Sequence, residues 1–220
     1  MNIPHPSRAP SRAPSRAPSR SPSSAPSRSH IVLLGLPGSG KSRAGILVAE
    51  GVGRPFVDSD LTVERHLGDP ASARDDEHRS DDAGDAEMEA LMEAFESVID
   101  GAQPVVFAAS AGVLPRLEPR HLDGAFTVWL EASPRVLAER VEDDAPRPEL
   151  GDDPLAELTR RAEEHGPRAR GLADLVVEVD DRPVEEVATV ITDAWRSKRR
   201  ASPDEPSPPV PRSPAAGEDR

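Results

Sequence analysis

Short runs of consecutive apolar residues alternate with longer amphipathic stretches over most of the chain. Runs of four to six apolar residues, many of them β-branched or aromatic, are typical of strands that are buried on both faces. The second run is short and ends in two acidic residues. The predicted strands lie at residues 31–34, 54–60, 105–108, 125–130 and 175–179.

The stretches between these runs carry apolar residues three and four positions apart, which predicts helices. Met88, Leu91, Met92, Phe95 and Ile99 follow this spacing and indicate a helix with an apolar face over residues 86–99. Further helices are predicted directly after residue 42 and over residues 135–141, 154–164 and 184–196. Strands that alternate with helices predict an α/β fold with a parallel sheet, helices on both faces, and a phosphate site at the carboxyl edge.

The two ends of the chain have no such pattern. Within residues 1–29, residues 7–28 repeat Ser-Arg-Ala-Pro with drift, and a proline every fourth residue prevents a continuous helix. We expect a disordered basic tail there, with a weak anionic tether or an organellar targeting peptide as alternatives. Residues 197–220 hold six prolines and predict a second disordered tail. The expected domain therefore spans residues 30–196.

Two internal stretches also depart from the pattern. Residues 61–66 can begin a helix, whereas residues 68–87 are acidic and poor in apolar side chains, which indicates a loop or a loosely packed lobe. Residues 142–152 are rich in acidic residues and prolines, and we expect a flexible loop there.

Composition narrows the function classes. The net charge of −13 makes nucleic acid an improbable partner, because phosphate binding needs a basic surface. The chain has no cysteine, its six histidines have no ligand-like spacing, and no apolar run approaches 18 residues. We therefore expect no zinc site, no membrane span and no secretory signal, and by default a cytoplasmic protein. Our expectation for the oligomeric state is a monomer.

The segment after the first predicted strand carries the clearest chemistry. A glycine, four residues and then Gly-Lys-Ser form the pattern of a phosphate-binding loop, although an ordinary strand-to-helix turn is the alternative. Glycines let backbone N–H groups point at phosphate oxygens, the lysine reaches the β- and γ-phosphates, and the serine hydroxyl ligates Mg²⁺. The helix that follows favours an anion at its start. The predicted nucleotide-binding residues are Gly35, Gly38, Ser39, Gly40, Lys41 and Ser42.

Several other segments occur in an order and spacing that resemble the shikimate kinase family of small P-loop kinases. They are the phosphate-binding loop, residues 56–60 and 128–134, Arg147-Pro148, and Arg170 before residues 173–177. The resemblance runs from about Ile31 to Trp195. It implies a five-stranded parallel sheet with helices on both faces, a substrate lobe after the second strand, and a lid.

The resemblance also implies phosphoryl transfer from ATP, with Mg²⁺, to a hydroxyl group. Asp58 would hold Mg²⁺ through water, and Asp60 would bind the acceptor hydroxyls and accept a proton. Arg147 would close over the nucleotide phosphates from the lid, so that Lys41, Asp60 and Arg147 form the catalytic set. The simpler alternatives are a solvated strand end or a helix N-cap for the two acids and a surface position for the arginine.

On the acceptor side the resemblance implies that Arg170 binds the substrate carboxylate with a forked ion pair. An ordinary surface ion pair is the alternative for this arginine. Ser110, in the turn after the third strand, is a further predicted substrate contact.

Three positions depart from the family pattern. The Gly-Gly-Gly turn that the family carries after the third strand corresponds here to Ala109-Ser110-Ala111, whose Cβ atoms restrict the backbone. The family's arginine in the substrate lobe corresponds to Glu89, which reverses the charge. Arg43, counted with the nucleotide-binding residues, stands where the family usually has threonine. The substrate lobe is therefore the divergent part.

The leading prediction is a transferase of the aromatic amino acid pathway, an ATP-dependent kinase that converts shikimate to shikimate 3-phosphate. One alternative is a kinase of gluconate kinase type that acts on a polyol without the same carboxylate contact, which the glutamate at position 89 favours. Another is a catalytically weak nucleotide-binding paralogue with a regulatory role, which the Ala-Ser-Ala turn favours.

Overall fold

The computed structural model describes residues 30–59, 81–142 and 147–201, so the predicted tail at residues 1–29 and all but the first five residues of the tail at 197–220 lie outside that part. Five strands are present: β1 (His30–Gly35), β2 (Phe56–Asp58), β3 (Val106–Ala108), β4 (Ala125–Glu131) and β5 (Leu175–Glu178). The described helices are α1 (Lys41–Val52), α2 (Asp81–Ile99), α3 (Pro134–Glu142), α4 (Pro154–Leu172) and α5 (Val184–Ala201).

All five strands pair in parallel, in the order β2-β3-β1-β4-β5. β1 lies at the centre, where Ile31 is in register with Val106 of β3 and with Phe126 of β4. The chain leaves β1 to one side and returns to the other, so the carboxyl ends of β1 and its neighbours meet at one edge. The predicted five-stranded parallel sheet with helices is confirmed.

The strands separate two hydrophobic clusters because successive side chains point to opposite faces of the sheet. On one face, Val32 and Leu34 of β1 belong to a cluster with Phe95 of α2, Leu137 of α3 and Leu158 of α4. These side chains are at most 1% exposed. The helices between β2 and β5 that carry them therefore cover this face.

On the opposite face, Ile31 and Leu33 of β1 belong to a second cluster with Val48 of α1 and with Ile191 and Trp195 of α5. Helices α1 and α5 therefore share this side of the sheet. Burial on both faces explains why the strands are continuous apolar runs rather than alternating ones.

Helix α2 differs from its prediction at the start. It begins at Asp81, whereas the apolar spacing predicted a start at residue 86 and a loop or loose lobe before it. Acidic residue types favour a helix start because they complement the positive end of the helix dipole. A stretch that is poor in apolar residues therefore still forms the first turn. The predicted helix at 61–66 and the rest of the lobe, residues 60–80, lie outside the described residues.

Helices α4 and α5 are longer than predicted. Helix α4 continues through Gly166 and Pro167 to Leu172, past the predicted end at residue 164. Buried Leu158, Gly166 and Ala169 keep a helical spacing, so packing against the sheet outweighs the local cost of glycine and proline. Helix α5 ends at Ala201 rather than at residue 196, so the start of the predicted tail is helical.

The predicted loop at residues 142–152 contains a short 3₁₀ turn, Pro148–Leu150, in its described part. Arg161 of α4 donates from Nη2 to the backbone oxygen of Glu149 at 2.7 Å. Leu150 is 2% exposed, so the carboxyl end of this segment packs on the core. Within the described ranges, no helix has the length and apolar character needed to cross a membrane.

Candidate active site

The loop between β1 and α1 is tightly packed, both within itself and against β4. A Cβ added to Gly35 would collide with Ser39 Oγ and would lie 3.1 Å from the backbone oxygen of Leu130. Gly40, which precedes α1, has φ 85°, a conformation that side chains rarely adopt. Two glycines of the predicted motif are therefore required by sterics and backbone conformation. A cradle of this kind places backbone N–H groups where a phosphate binds.

Lys41 lies in the middle of this loop. Its Nζ donates to the backbone oxygens of Gly35 at 2.9 Å and Leu36 at 3.3 Å, and the residue is 9% exposed. A charge held in such a confined position acts through a lower effective dielectric than a surface lysine does. The lysine is therefore placed to neutralise phosphate charge, as the motif predicts.

Ser42 and Asp58 come together although they lie in different elements. Ser42, in the first turn of α1, donates from Oγ to Asp58 Oδ2 at 2.6 Å. Asp58 ends β2, and its parallel pairing with Ala108 of β3 brings it to the carboxyl edge. A hydroxyl and a carboxylate are oxygen ligands of the kind that Mg²⁺ prefers, and Mg²⁺ usually takes its remaining ligands from water and phosphates. The described part of the chain contains no cluster of three or more metal-binding side chains.

The turn after β3 is fixed by serine hydroxyls. Ser110 donates its backbone N–H to Ser59 Oγ at 2.5 Å, and Gly112 donates its N–H to Ser110 Oγ at 3.3 Å. Ala109 is fully buried, and Ala111 packs against the cluster that contains Val113. The added Cβ atoms of the Ala-Ser-Ala turn are therefore accommodated by packing, and Ser110 stays partly exposed at the carboxyl edge.

Of the two remaining predicted catalytic residues, the structure describes Arg147 and does not describe Asp60. Arg147 is partly exposed, and its Nη1 lies 3.6 Å from Glu149 Oε1. Asp60 lies outside the described residues. The roles assigned to both residues remain predictions.

Arg170 forms a forked ion pair within the protein. Its Nε donates to Glu131 Oε1 at 2.7 Å, and its Nη2 donates to Glu131 Oε2. The arginine side chain is 58% exposed and that of Glu131 is 22% exposed. This is the surface ion pair that the sequence analysis gives as the alternative for Arg170. An acceptor carboxylate would therefore have to share the guanidinium with Glu131 or displace Glu131 from it.

Glu89 lies on the exposed side of α2. Together with Met92 it lines an open cleft of about 460 Å³, which Arg116 and Arg168 also line. Arg168 is held in place because it donates to the backbone oxygens of Pro115 at 3.1 Å and Leu117 at 2.7 Å. Glu89 thus faces the same cleft as these arginines.

Two residues with clear structural roles at this edge were not among the predicted site residues. Ser59 accepts the Ser110 N–H, and Arg140 of α3 donates to the backbone oxygens of Val179 at 2.7 Å and Asp180 at 3.0 Å. Arg140 thereby fixes the segment after β5. The sequence gives no local signal for either role, because each partner lies 39 or more positions away.

A parallel sheet of order β2-β3-β1-β4-β5, a phosphate-binding loop after its central strand, and a serine–aspartate pair beside the loop lysine define a P-loop kinase. The comparisons with known proteins give the particular family. The family model for shikimate kinase matches residues 37–196, and the chain belongs to the shikimate kinase family.

Curated relatives support this assignment over nearly their full length. The shikimate kinase of Symbiobacterium thermophilum is 34% identical over 174 residues, which are 77% of this chain and 97% of that protein. The shikimate kinase of Caulobacter vibrioides is 36% identical over 171 residues, which are 74% and 82% of the two chains. The prediction of an ATP-binding P-loop kinase, a transferase, is therefore confirmed.

Solved structures support the fold. The shikimate kinase from Acinetobacter baumannii in complex with shikimate has a TM-score of 0.68 at 22% identity and covers 79% of this chain and 96% of its own. A gluconokinase from Sinorhizobium meliloti has a TM-score of 0.51 at 23% identity, covering 80% and 95%. Because sequence identity is low in both cases, these two structures show a common fold and do not discriminate between acceptors.

Proposed function

We propose that the chain transfers the γ-phosphoryl group of ATP, bound with Mg²⁺, to a hydroxyl of shikimate. The observation that carries the proposal is the Ser42–Asp58 contact of 2.6 Å beside the buried Lys41, in a chain of the shikimate kinase family. Phosphoryl transfer depends mainly on positioning the reactants and on neutralising charge. On the nucleotide side, this arrangement provides both.

On the nucleotide side, the backbone of residues 35–42 binds the phosphates and Lys41 bridges the β- and γ-phosphates. Arg43 is exposed in the first turn of α1, where it extends the positive charge at the start of the helix. Arg147 closes over the same phosphates from the segment before the Pro148–Leu150 turn. Together these cations offset the charge that spreads over the transferred group.

Ser42 and Asp58 fit a magnesium ion because both offer oxygen atoms and because they already meet at hydrogen-bond distance. Bound Mg²⁺ would neutralise charge on the phosphate oxygens. The carboxylate of Asp58 holds the Ser42 hydroxyl in a fixed orientation. The start of α1 and the end of β2 are thereby kept together at the site.

On the acceptor side, Asp60 follows two residues after Asp58 and accepts the proton of the attacking hydroxyl. Ser110 contacts the acceptor from the turn after β3, where it is partly exposed. Arg170 binds the acceptor carboxylate with the part of its guanidinium that Glu131 does not occupy. Nε and Nη2 serve Glu131, which leaves the Nη1 side for a second carboxylate.

A second candidate is a kinase of gluconate kinase type, which acts on a polyol that lacks the carboxylate contact to Arg170. Glu89 places a negative charge where the family carries an arginine, and Arg170 already has a carboxylate partner in Glu131. Both features weaken the binding of an acceptor through a carboxylate at Arg170, and neither weakens the binding of a neutral polyol. They favour a kinase with the same phosphate chemistry and a different acceptor.

An ADP-release assay with a panel of acceptors tests the proposal. Shikimate, gluconate and uncharged cyclic and linear polyols are each added with ATP and Mg²⁺, and ATP alone is the control. The proposal expects the highest kcat/KM with shikimate. A preference for gluconate or for an uncharged polyol supports the second candidate, and no acceptor-dependent ADP release supports the weak nucleotide-binding paralogue. A cytoplasmic location and a monomeric state remain predictions.

A further inference from the structure

Two loops of the site are neighbours because β2 and β3 pair in parallel, with Asp58 in register with Ala108. Ser59 follows Asp58 directly and is 2% exposed. Its hydroxyl oxygen accepts the backbone N–H of Ser110 at 2.5 Å. A buried hydroxyl of the β2 loop therefore holds the backbone of the turn after β3.

Ser110 in turn makes a further hydrogen bond within the turn. This residue caps the 3₁₀ turn Ala111–Val113, since its Oγ accepts the N–H of Gly112 at 3.3 Å. Gly112 lies against α2 so closely that an added Cβ would be 2.8 Å from Leu91 Cδ1. A shift of Ser110 would therefore be passed on to the packing between this turn and α2.

Ser59 and its neighbour Asp58 serve different sides of the reaction. Asp58 accepts the Ser42 hydroxyl and belongs to the nucleotide side, whereas Ser59 accepts the Ser110 amide on the acceptor side. Loss of the Ser59 hydroxyl leaves the Ser110 N–H without this acceptor. An unsatisfied buried donor costs more than the hydrogen bond contributes, so the turn would move to find another partner.

We propose that Ser59 is a positioning residue for the acceptor: its buried hydroxyl fixes the turn at Ser110 and so sets the affinity for the phosphoryl acceptor without touching it. The inference rests on the proposed function, in which Ser110 contacts the acceptor. It assigns Ser59 no part in nucleotide binding. A purely structural role would instead lower stability and leave the affinity for the acceptor unchanged.

The kinetic test compares three substitutions at one position. Ser59→Ala removes the acceptor oxygen, Ser59→Thr keeps it, and Ser59→Cys keeps the volume but offers only a weak sulfur acceptor. We expect Ser59→Ala and Ser59→Cys to raise KM for the acceptor about three- to tenfold, from the usual range for one hydrogen bond. KM for ATP should stay within twofold of wild type, and Ser59→Thr should restore the KM for the acceptor.

Thr192→Ala is the matched control, because Thr192 is a buried hydroxyl residue of α5 on the opposite face of the sheet. It should lower the melting temperature without changing either KM. Equal rises in both KM values, or an unchanged KM for the acceptor in Ser59→Ala and Ser59→Cys, would overturn the proposal. Ser59→Cys decides the matter if the alanine variant does not fold.

Amide hydrogen exchange gives a second readout that needs no acceptor. The Ser110 amide should exchange slowly in the wild type and in Ser59→Thr, and clearly faster in Ser59→Ala and Ser59→Cys. Equal protection in all four proteins would overturn the proposal. If the wild type phosphorylates no acceptor, the proposed function fails, and the exchange rates alone then decide whether Ser59 positions the turn.

Discussion

Residue 89 gives the most direct test of how single side chains set acceptor affinity. Glu89→Arg should lower the KM for shikimate by up to about tenfold, because one recovered charge-assisted contact contributes about 1.4 kcal/mol. Steady-state kinetics with shikimate measures this. Glu93→Arg makes the same charge change one helical turn further along α2, at another exposed position, and is the matched control. Equal effects of the two substitutions would show that only the overall charge matters.

Arg170 gives the complementary test. Arg170→Ala should raise the KM for shikimate and leave the KM for an uncharged polyol unchanged, because only the carboxylate uses the guanidinium. Arg135→Ala removes another exposed arginine that pairs with a glutamate, and it should change neither KM. If Arg170→Ala has no effect on shikimate, Arg170 is only the partner of Glu131.

His30 makes stability depend on pH. Burial lowers the pKa of His30 from its usual 6.5, the nearby Arg54 lowers it further, and the hydrogen bond to the backbone oxygen of Gly101 opposes the shift. The unfolded chain then binds the proton more tightly than the folded one. The free energy of unfolding should therefore fall as the pH drops below 6.5, until the folded pKa is passed.

Urea denaturation at pH 7 and pH 5 measures this loss. His30→Gln should lose less stability than the wild type between the two pH values, since glutamine does not titrate. Burial also lowers the pKa of His165, so part of the loss should remain in the variant. The same loss in both proteins would show that His30 does not contribute.

Candidate site residues can be predicted from sequence where chemistry fixes their spacing. The Gly-Lys-Ser motif identified Lys41 and Ser42 because phosphate binding requires them in that order after a strand. Ser59 and Glu131 could not be found this way, since their partners Ser110 and Arg170 lie far along the chain. Such contacts depend on which strands become neighbours.

At the level of elements, glycines inside helices have opposite consequences in α1 and α4. Gly166→Ala in α4 should raise the free energy of unfolding by about 0.5–1 kcal/mol, because alanine favours a helix and no atom lies within 4 Å of the added Cβ. Gly45→Ala in α1 should lower it, because the added Cβ would collide with the ring of Phe56. Chemical denaturation measures both changes, and a shift of the same sign in both would contradict this account of the packing.

Prediction from sequence was reliable for the existence of elements and weaker for their ends. Helix α4 passes Pro167 because buried Ala169 continues the packing beyond the local signals. Helix α5 passes Arg196 although its last buried residue is Trp195, and there Lys198 pairs with Asp174. Helix α2 starts at Asp81, before Met88, the first of the residues whose helical spacing carried the prediction. Apolar spacing therefore locates the buried part of a helix and not its full length.

At the level of the whole molecule, we expect a truncation after α5 to leave the stability unchanged and a truncation within the last turn of α5 to lower it. Lys198 forms an ion pair with Asp174 at 2.6 Å, and the Arg199 guanidinium lies 4.8 Å from the centre of the Trp195 ring. Deletion of residues 202–220 should leave the melting temperature unchanged. Deletion from residue 198 onward should cost about 1 kcal/mol, from the loss of these contacts.

Thermal unfolding of the two truncated proteins measures the difference. Equal melting temperatures would show that the last turn of α5 adds nothing to the fold. A large loss in the shorter deletion would show that residues 202–220 contact the domain.

The architecture could be predicted from the order of elements because a parallel sheet needs a crossover between successive strands. The strand order could not be read from the apolar pattern itself. The resemblance to the shikimate kinase family implied only a five-stranded parallel sheet, and the order with β1 in the centre is a finding of the structure. The acceptor side remained the least predictable part, since Asp60 and residues 60–80 lie outside the described residues.

The most direct measurement is acceptor-dependent phosphoryl transfer from ATP by the wild type and by Lys41→Ala. The chain has only two lysines, and Lys198→Ala is the matched control, because Lys198 lies in α5 and pairs with Asp174. The account predicts at least a hundredfold lower kcat in Lys41→Ala, as loss of about 2.7 kcal/mol of transition-state stabilisation gives, and wild-type turnover in Lys198→Ala. Wild-type turnover in Lys41→Ala would contradict the assignment of this site as the kinase centre.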